Sequence, residues 1–221
     1  MKIMDTPNQE NMRSTFPRLN QPAPTFEVET THGTLRLEDF QGSWVILFSH
    51  PADFTPVCTT EFVAFAQLAP ELKKRGVELL GLSIDSTYSH IAWVRNIEKN
   101  FDVKIPFPII ADLNKDVATL FGMVMPGESK TETSRCVFVI DPKGLIRAMI
   151  YYPLTTGRNT QEILRLIDAL QTSDKHSVAT PANWQPGEKV IVPPPKTTEE
   201  AEIRMTAGYE TPDWYFSKKS L

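Results

Sequence analysis

Cysteine is scarce in this chain: its 221 residues include only two, Cys58 and Cys136. They lie far apart in the sequence and form neither the C-x-x-C pair of a dithiol redox site nor the spacing of a zinc site. Structural disulfides are rare in reducing compartments, so we expect two free thiols and no disulfide.

Short metal-binding motifs are missing as well. The four histidines are scattered along the chain, and no two have the spacing of a local metal motif. We therefore expect no metal and no cofactor, although a zinc or iron site assembled from distant residues stays open. The histidines are His32, His50, His90 and His176.

Long hydrophobic runs and an excess of positive charge are also absent. No apolar run approaches the roughly 20 residues that a membrane-spanning helix needs. Residues 1–18 lack both the apolar core of a signal peptide and the Arg-rich pattern of a transit peptide. The formal net charge of −4 argues against nucleic acid or an anionic membrane surface as a partner. We therefore expect a cytoplasmic protein without nucleic-acid or membrane partners.

What the sequence does contain is a cysteine at the predicted start of a helix. The apolar run Trp44–Phe48 is typical of a central strand covered on both faces. The pair Thr55-Pro56 that follows predicts a helix start, because Thr can N-cap a helix and Pro suits its first position. Cys58 then lies in the first turn, where the positive end of the helix macrodipole favours the nucleophilic thiolate.

The rest of the pattern alternates strands with helices. The helix of Cys58 is expected to kink or restart at Pro70 and to end at Arg75-Gly76. Prolines at the start of the strand predicted over 106–110 suggest an edge or strand-entry position. Strands are predicted at 25–30, 34–37, 77–84, 106–110, 135–140 and 145–152, and further helices at 89–99, 114–121 and 159–170.

This element order is that of an α/β, thioredoxin-like fold with a central mixed sheet flanked by helices. Beyond Gln171 the sequence becomes richer in proline and charge, which predicts an extended arm with one short helix. We therefore divide the chain into a flexible leader (1–16), a thioredoxin-like domain (17–170) and a C-terminal arm or dimerisation domain (171–221).

The pattern Pro51-x-x-x-Thr55-x-x-Cys58, set within Phe48–Glu61, resembles the peroxide-reducing signature of the peroxiredoxins. The resemblance is to the one-cysteine subfamily, and it covers about residues 17–215. Further matching stretches are Leu82–Ser86, Pro106–Ile110, Thr156–Asn159 with Glu162–Arg165, and Val178–Trp184.

The resemblance implies a thiol-dependent peroxidase that acts on hydrogen peroxide and organic hydroperoxides. Cys58 would be the peroxidatic nucleophile and would become a sulfenic acid. Thr55 would donate its hydroxyl hydrogen to the peroxide, and Pro51 would shield the thiolate from water. The chemistry needs such donors, since the leaving oxygen gathers negative charge.

The resemblance also assigns four supporting residues. Arg135 would neutralise the thiolate and bind a peroxide oxygen, and Glu61 would orient this arginine. Arg158 is implied as a second, more distant arginine, and His50 as a neighbour of the oxidised sulfur. From the residues alone, Arg135 would be a surface arginine, and His50 could equally be a strand-end histidine bonded to backbone.

No second cysteine is well placed to resolve the sulfenic acid. Alternation along a strand points the side chains of Arg135 and Cys136 to opposite faces, which favours Cys136 as a structural core thiol. Some related archaeal and bacterial chains have Cys where this one has Ser217. We therefore expect an external thiol of the thioredoxin, glutathione or another type to act as reductant.

Two other function classes have weaker support in the sequence. Some mammalian relatives hydrolyse phospholipids through a Gly-x-Ser-x-Gly motif, but Gln41–Val45, around Ser43, lacks its spacing and final glycine. An oligomeric holdase or redox sensor is the alternative from a non-catalytic class.

By resemblance, the arm exchanges between subunits, so a homodimer is expected and rings of dimers are plausible. The aromatic cluster Tyr209, Trp214, Tyr215 and Phe216 fits packing in that arm or interface.

Overall fold

The computed structural model describes residues 16–221, so the leader predicted for 1–16 lies outside the described residues except for Phe16. The chain divides into two compact units, one up to Thr160 and one from Gln161 to Leu221. Among the described residues, no helix is both long and apolar enough to cross a membrane.

The first unit is built on a seven-stranded mixed sheet in the order β2-β1-β5-β4-β3-β6-β7. Strand β4 runs parallel to β3 and to β5, and the other neighbours are antiparallel. All residues of β3 are buried, as predicted for a central strand. The strands are β1 (Glu27–Thr30), β2 (Gly33–Arg36), β3 (Trp44–Ser49), β4 (Val77–Ser83), β5 (Ile109–Ala111), β6 (Arg135–Ile140) and β7 (Ile146–Tyr152).

Helices connect the parallel strands. A 3₁₀ helix over Leu37–Phe40 precedes β3. Helix α1 (Pro56–Lys74) joins β3 to β4, and α2 (Thr87–Phe101) lies between β4 and β5. A short helix α3 (Asp116–Leu120) follows β5, and α4 (Thr160–His176) begins after β7.

Helix α1 begins where the sequence predicts and runs through Pro70 as one element. The predicted restart at Pro70 is therefore wrong. Phe65, Leu68 and Leu72 are all buried on either side of the proline, and burial of this apolar face stabilises the helix across it. The helix ends at Arg75 and Gly76, where Gly76 has a φ of 67° that favours glycine.

For the strand predicted over 106–110, the prolines suggested an edge or a strand-entry position, and the structure shows the strand-entry position. Strand β5 lies inside the sheet, between β1 and β4. Pro106 and Pro108 precede the strand, and the carbonyl of Pro108 still accepts a hydrogen bond from Gly81 N–H at 3.0 Å. The prolines thus mark the strand entry, which was the other interpretation of the same signal.

Aromatic side chains fill the layer between the sheet and α1. The ring of Phe48 in β3 stacks on Phe65, with centroids 4.3 Å apart, and also contacts Phe62 and Phe107. Gly81 in β4 leaves room for these rings, because a Cβ there would lie 3.3 Å from Phe62. This packing fixes α1, and with it Cys58, against the carboxyl ends of the central strands.

The second unit contains a small antiparallel sheet that the sequence analysis did not predict. Its strands β8 (Val190–Val192), β9 (Glu210–Asp213) and β10 (Phe216–Lys219) lie in the order β8-β10-β9. The predicted short helix is present as α5 (Thr198–Thr206). Three- and four-residue strands with charges and proline lack the alternation that predicts a strand.

Candidate functional site

The site begins at the turn between β3 and α1. Cys58 is the third residue of α1, and its side chain is fully buried. Thr55 occupies the N-cap position with an extended backbone, but its hydroxyl donates to Ala52 O at 2.9 Å and accepts no N–H. The side-chain capping expected of Thr55 is therefore wrong. The first N–H groups of the helix, which have no partner within it, belong to the same turn as Cys58.

Strand β6 brings an arginine to this cysteine. Because β6 runs antiparallel to β3, its first residue, Arg135, lies beside the end of β3. Its Nη1 donates to Cys58 Sγ at 3.3 Å and to Glu61 Oε2 at 2.8 Å. Its Nε and Nη2 both donate to Leu154 O, at 2.9 and 2.8 Å. The carbonyl of Leu154 thus orients the guanidinium, a role that no side-chain pattern reveals.

Arg158 completes a buried ion network. Its Nε and Nη2 donate to the two carboxylate oxygens of Glu61 at 2.8 and 2.7 Å, and its backbone N–H donates to Oε1 at 2.8 Å. Its Nη1 donates to Ser49 O and Cys136 O, at 2.8 and 2.9 Å. The resemblance implied a second arginine, more distant than Arg135, and the structure places Arg158 against the same carboxylate that Arg135 contacts.

The charges of the three ionised side chains in this cluster do not balance. Burial alone would raise the pKa of the Glu61 carboxyl, but Arg158 and then Arg135 outweigh it and hold that pKa below its usual range. Two guanidinium groups and one carboxylate carry a net charge of +1 in a buried site. Uncompensated buried charge is costly, so this cluster, with Arg135 beside Cys58 Sγ, is suited to hold an anion.

Known proteins resemble this chain over most of its length. Residues 19–149 match the AhpC/TSA family, and residues 169–208 match the C-terminal domain of 1-Cys peroxiredoxin. A peroxiredoxin of Aquifex aeolicus is 59% identical over 217 residues, which cover 93% of this chain and 98% of the relative. Peroxiredoxin 2 of Caldanaerobacter subterraneus is 52% identical over 221 residues, covering 99% and 100%.

The chain belongs to the peroxiredoxins.

Solved structures confirm the fold and the subfamily of this peroxiredoxin. A yeast mitochondrial 1-Cys peroxiredoxin superposes with a TM-score of 0.82 at 44% identity, covering 92% of this chain and 99% of the other. A cysteine-to-serine mutant of peroxiredoxin 6 from Arenicola marina gives 0.83 at 41% identity, covering 92% and 97%. The thioredoxin-like fold and the one-cysteine subfamily predicted from the sequence are thus confirmed, and the chain is a thiol peroxidase.

A second buried cluster of this peroxiredoxin lies beside the turn. His50 Nε2 is 2.9 Å from Asp53 Oδ1, and Asp53 Oδ2 is 2.8 Å from His90 Nδ1. Their donor atoms lie within 4.8 Å of one another, so these residue types could hold a metal ion. However, each of these nitrogen and oxygen atoms already takes part in a hydrogen bond with another member of the cluster. That bonding accounts for the short distances between them. His50 is therefore bonded through its side chain to Asp53, as well as through its backbone to its surroundings.

Cys136 lies on the opposite side of β6 from Arg135, as strand alternation predicts. It packs in a core cluster with Met123 and Phe138 and is fully buried. Burial raises the pKa of the Cys136 thiol to about 12, although Ser49 and Arg158 act in the opposite direction. The thiol is therefore protonated at neutral pH and is a poor nucleophile.

This raised pKa predicts a loss of stability in alkali. Between pH 9 and about 12 the Cys136 thiol ionises in the unfolded chain but stays protonated in the folded one. The unfolded state then binds fewer protons, so the free energy of unfolding falls as pH rises. We expect Cys136→Ala to reduce this fall by up to about 1 kcal/mol per pH unit in denaturant titrations from pH 8.5 to 10.5. An unchanged slope would contradict the assignment.

The serine of the weak lipase-like motif lies elsewhere in the first unit. Ser43 lines a cavity of about 220 Å³ together with Glu38, Gln41 and Asp141. Among the described residues that line this cavity there is no histidine to act as a base for the serine.

Proposed function

We propose that this peroxiredoxin reduces hydrogen peroxide and organic hydroperoxides through Cys58, with an external thiol completing the cycle. The observation that carries the proposal is the 3.3 Å contact from Arg135 Nη1 to Cys58 Sγ within a buried cluster of two arginines and one carboxylate. Residues that hold an anion in this way are suited to a reaction in which negative charge passes from sulfur to oxygen.

In the first step the Cys58 thiolate attacks one peroxide oxygen along the O–O bond. The S–O bond forms as the O–O bond breaks, and the leaving oxygen departs as water or alcohol after taking up a proton. Arg135 faces both the sulfur and the oxygen that binds next to it. The guanidinium can thus stabilise the negative charge first on the sulfur and then on the peroxide oxygen.

The two other motif residues act on the same step. Pro51 is buried beside the turn and would keep water from the thiolate. The Thr55 hydroxyl donates to Ala52 O without substrate, so it must rotate in order to donate to a bound peroxide. Its oxygen meanwhile accepts no N–H of the helix, which leaves it available to the ligand.

In the second step an external thiol attacks the sulfenic acid, releasing water and forming a mixed disulfide that a second thiol reduces. Cys136 is buried on the far side of β6, and Ser217 offers no thiol. The related yeast enzyme is described as resolved through glutathione and thioredoxin systems, which suggests reductants of either type here.

We further propose that the chain works in the cytoplasm as a homodimer, with residues 17–170 as the peroxidase domain and 171–221 as the dimerisation arm. Two distant, unpaired cysteines suit a reducing compartment. The exposed Ile203, Trp214 and Tyr215 of the second unit are apolar surface of the kind that a dimer interface covers. Analytical ultracentrifugation of the full chain would test the dimer.

The one-cysteine cycle predicts the products of a peroxide titration. With one equivalent of hydrogen peroxide and a sulfenic-acid trap, mass spectrometry should find the trapped adduct on Cys58 and an unmodified Cys136. Cys136→Ser should react at the same rate as the unchanged chain. An intramolecular Cys58–Cys136 disulfide as the main product would refute the one-cysteine cycle.

The activity itself is tested by stopped-flow oxidation with hydrogen peroxide and with an alkyl hydroperoxide, followed by a screen of thiol reductants. Rapid oxidation by both peroxides, and turnover with at least one thiol, is the expected result. If either peroxide oxidises Cys58 no faster than it oxidises a free thiol, the proposal is overturned.

A further inference from the structure

The cluster of His50, Asp53 and His90 has no part in the peroxide reaction described above. All three side chains are essentially inaccessible to solvent. His90 comes from α2, whereas Asp53 belongs to the turn before α1. Because one carboxylate joins two buried histidines, the hydrogen bonds limit which ring nitrogens can carry a hydrogen.

The partners of His90 determine where its hydrogens lie. Its Nε2 is 3.1 Å from Ile110 O, and a carbonyl oxygen can only accept, so this nitrogen carries a hydrogen. Its Nδ1 faces Asp53 Oδ2 at 2.8 Å. If Asp53 is ionised, that oxygen also only accepts, and both ring nitrogens of His90 must be protonated.

The surroundings of Asp53 favour the ionised carboxylate. Burial would raise the pKa of Asp53, but hydrogen bonds from His50 and His90 outweigh it and hold that pKa well below its usual range. Burial lowers the pKa of His50 and keeps that ring neutral. His50 therefore donates from Nε2 to Asp53 and has an unprotonated Nδ1, which is buried without a partner among the described residues.

The turn that this cluster holds is strained. Phe54, directly after Asp53, has a φ of 55°, in the left-handed region that non-glycine residues seldom adopt. Asp53 N–H donates to Asp85 Oδ2 at 2.8 Å, so both the backbone and the side chain of Asp53 are fixed. Such strain persists only where the surroundings over-determine the conformation.

We propose that Asp53 and His90 form a buried carboxylate–imidazolium pair and act as positioning residues that hold the strained turn carrying Pro51 and Thr55 toward Cys58. This inference rests on the proposed peroxidase function. The pair fastens the turn to α2 and β5 and fixes the tautomer of His50. Neither residue touches the peroxide; they act through the geometry of the turn.

The proton placement is tested first, in the unchanged protein at pH 7, by two-bond ¹H–¹⁵N NMR of the histidine rings. The expected result is that His90 shows two protonated nitrogens and His50 shows hydrogen on Nε2 alone. A single protonated nitrogen on His90, or a stoichiometric metal ion bound to the cluster, would overturn the proposal. This readout does not depend on enzyme activity.

The positioning role is tested with Asp53→Asn and His90→Gln, which remove the charges while keeping hydrogen-bonding groups. Hydrogen peroxide should oxidise Cys58 at least about tenfold more slowly in each variant, because small misplacements of reacting groups cost large factors in rate. The rate of alkylation by iodoacetamide, which needs no peroxide alignment, should change much less. The double variant should be less impaired than the product of the two single effects, since the two residues act as a pair.

Asp112→Asn is the matched control. Asp112 is also a buried carboxylate, but it accepts hydrogen bonds from Val117 and Ala118 N–H at the start of α3. Its loss should lower thermal stability without changing the peroxide rate. The role would be merely structural if Asp53→Asn slowed the peroxide and iodoacetamide reactions equally. The same would follow if Asp112→Asn slowed the peroxide reaction as much as Asp53→Asn does. Inactivity of the unchanged chain toward peroxide would instead refute the proposed function.

Discussion

Replacing Cys58 with serine is expected to lower the rate of peroxide reduction by at least about 10⁴-fold, because a neutral hydroxyl cannot serve as the nucleophile. Serine is nearly the same size as cysteine, so the buried site should remain folded. Its oxygen can still accept a hydrogen bond from Arg135, which now faces Cys58 Sγ at 3.3 Å. The measurement is stopped-flow hydrogen peroxide consumption with a thiol reductant, alongside thermal unfolding.

The control for this result is Cys136→Ser, which removes the other thiol. Because Cys136 is buried and protonated, the control should retain the activity of the unchanged chain. Undiminished peroxide consumption in Cys58→Ser would refute Cys58 as the nucleophile, and consumption that depends on Cys136 would point to a different catalytic thiol. Retained chaperone activity in Cys58→Ser would show that a holdase function is separable from the peroxidase.

Cys58 and Arg135 differ in how well the sequence predicts their places in the site. Cys58 could be placed on the first turn of α1 from adjacent residues, since Thr55 and Pro56 signal the helix start locally. Arg135 required the resemblance, because its approach to Cys58 depends on the antiparallel pairing of β3 with β6. Pairing between distant strands leaves no signal in the residues beside the cysteine.

Other contacts had no sequence signal at all. Leu154 contributes only its backbone carbonyl to the orientation of Arg135, and any residue could supply one. His90 was known only as one of four scattered histidines, and its pairing with Asp53 depends on how α2 packs. The strands of the second unit were missed for a different reason, since pairing with β10 rather than apolar alternation defines them. What the sequence predicts well is local, and what it misses is assembled across the fold.

Charge alone and hydrogen bonding predict opposite effects for the substitution of Glu61. Its carboxylate lies one turn from Cys58, so a purely Coulombic view predicts that Glu61→Gln would stabilise the thiolate and speed its oxidation. The hydrogen bonds predict the opposite. Glu61 Oε2 accepts from both Arg135 and Arg158, so its loss leaves both guanidinium groups without their buried counter-ion.

We therefore expect Glu61→Gln to slow oxidation of Cys58 by roughly 10²-fold, because Arg135 is no longer held against the sulfur. The free energy of unfolding should fall by about 3–5 kcal/mol, as it does when one partner of a buried ion pair is removed. Glu71→Gln, an exposed carboxylate on the same helix bonded to Lys74, should change neither by much. Faster oxidation in Glu61→Gln would show that the carboxylate opposes the thiolate rather than orienting its arginine.

The pH dependence separates these two roles further. The pKa of Glu61 is depressed in the folded chain, so its contribution to stability is present above the ordinary glutamate pKa of about 4.3 and is lost as pH falls through the folded value. Glu61→Gln removes this contribution, and its unfolding free energy should therefore vary less with pH below about 4.3 than that of the unchanged chain. If the carboxylate orients Arg135, the loss of stability and the loss of rate come from the same broken contacts. Arg135→Lys combined with Glu61→Gln should then cost less than the sum of the two single effects, since each change disrupts the same bond.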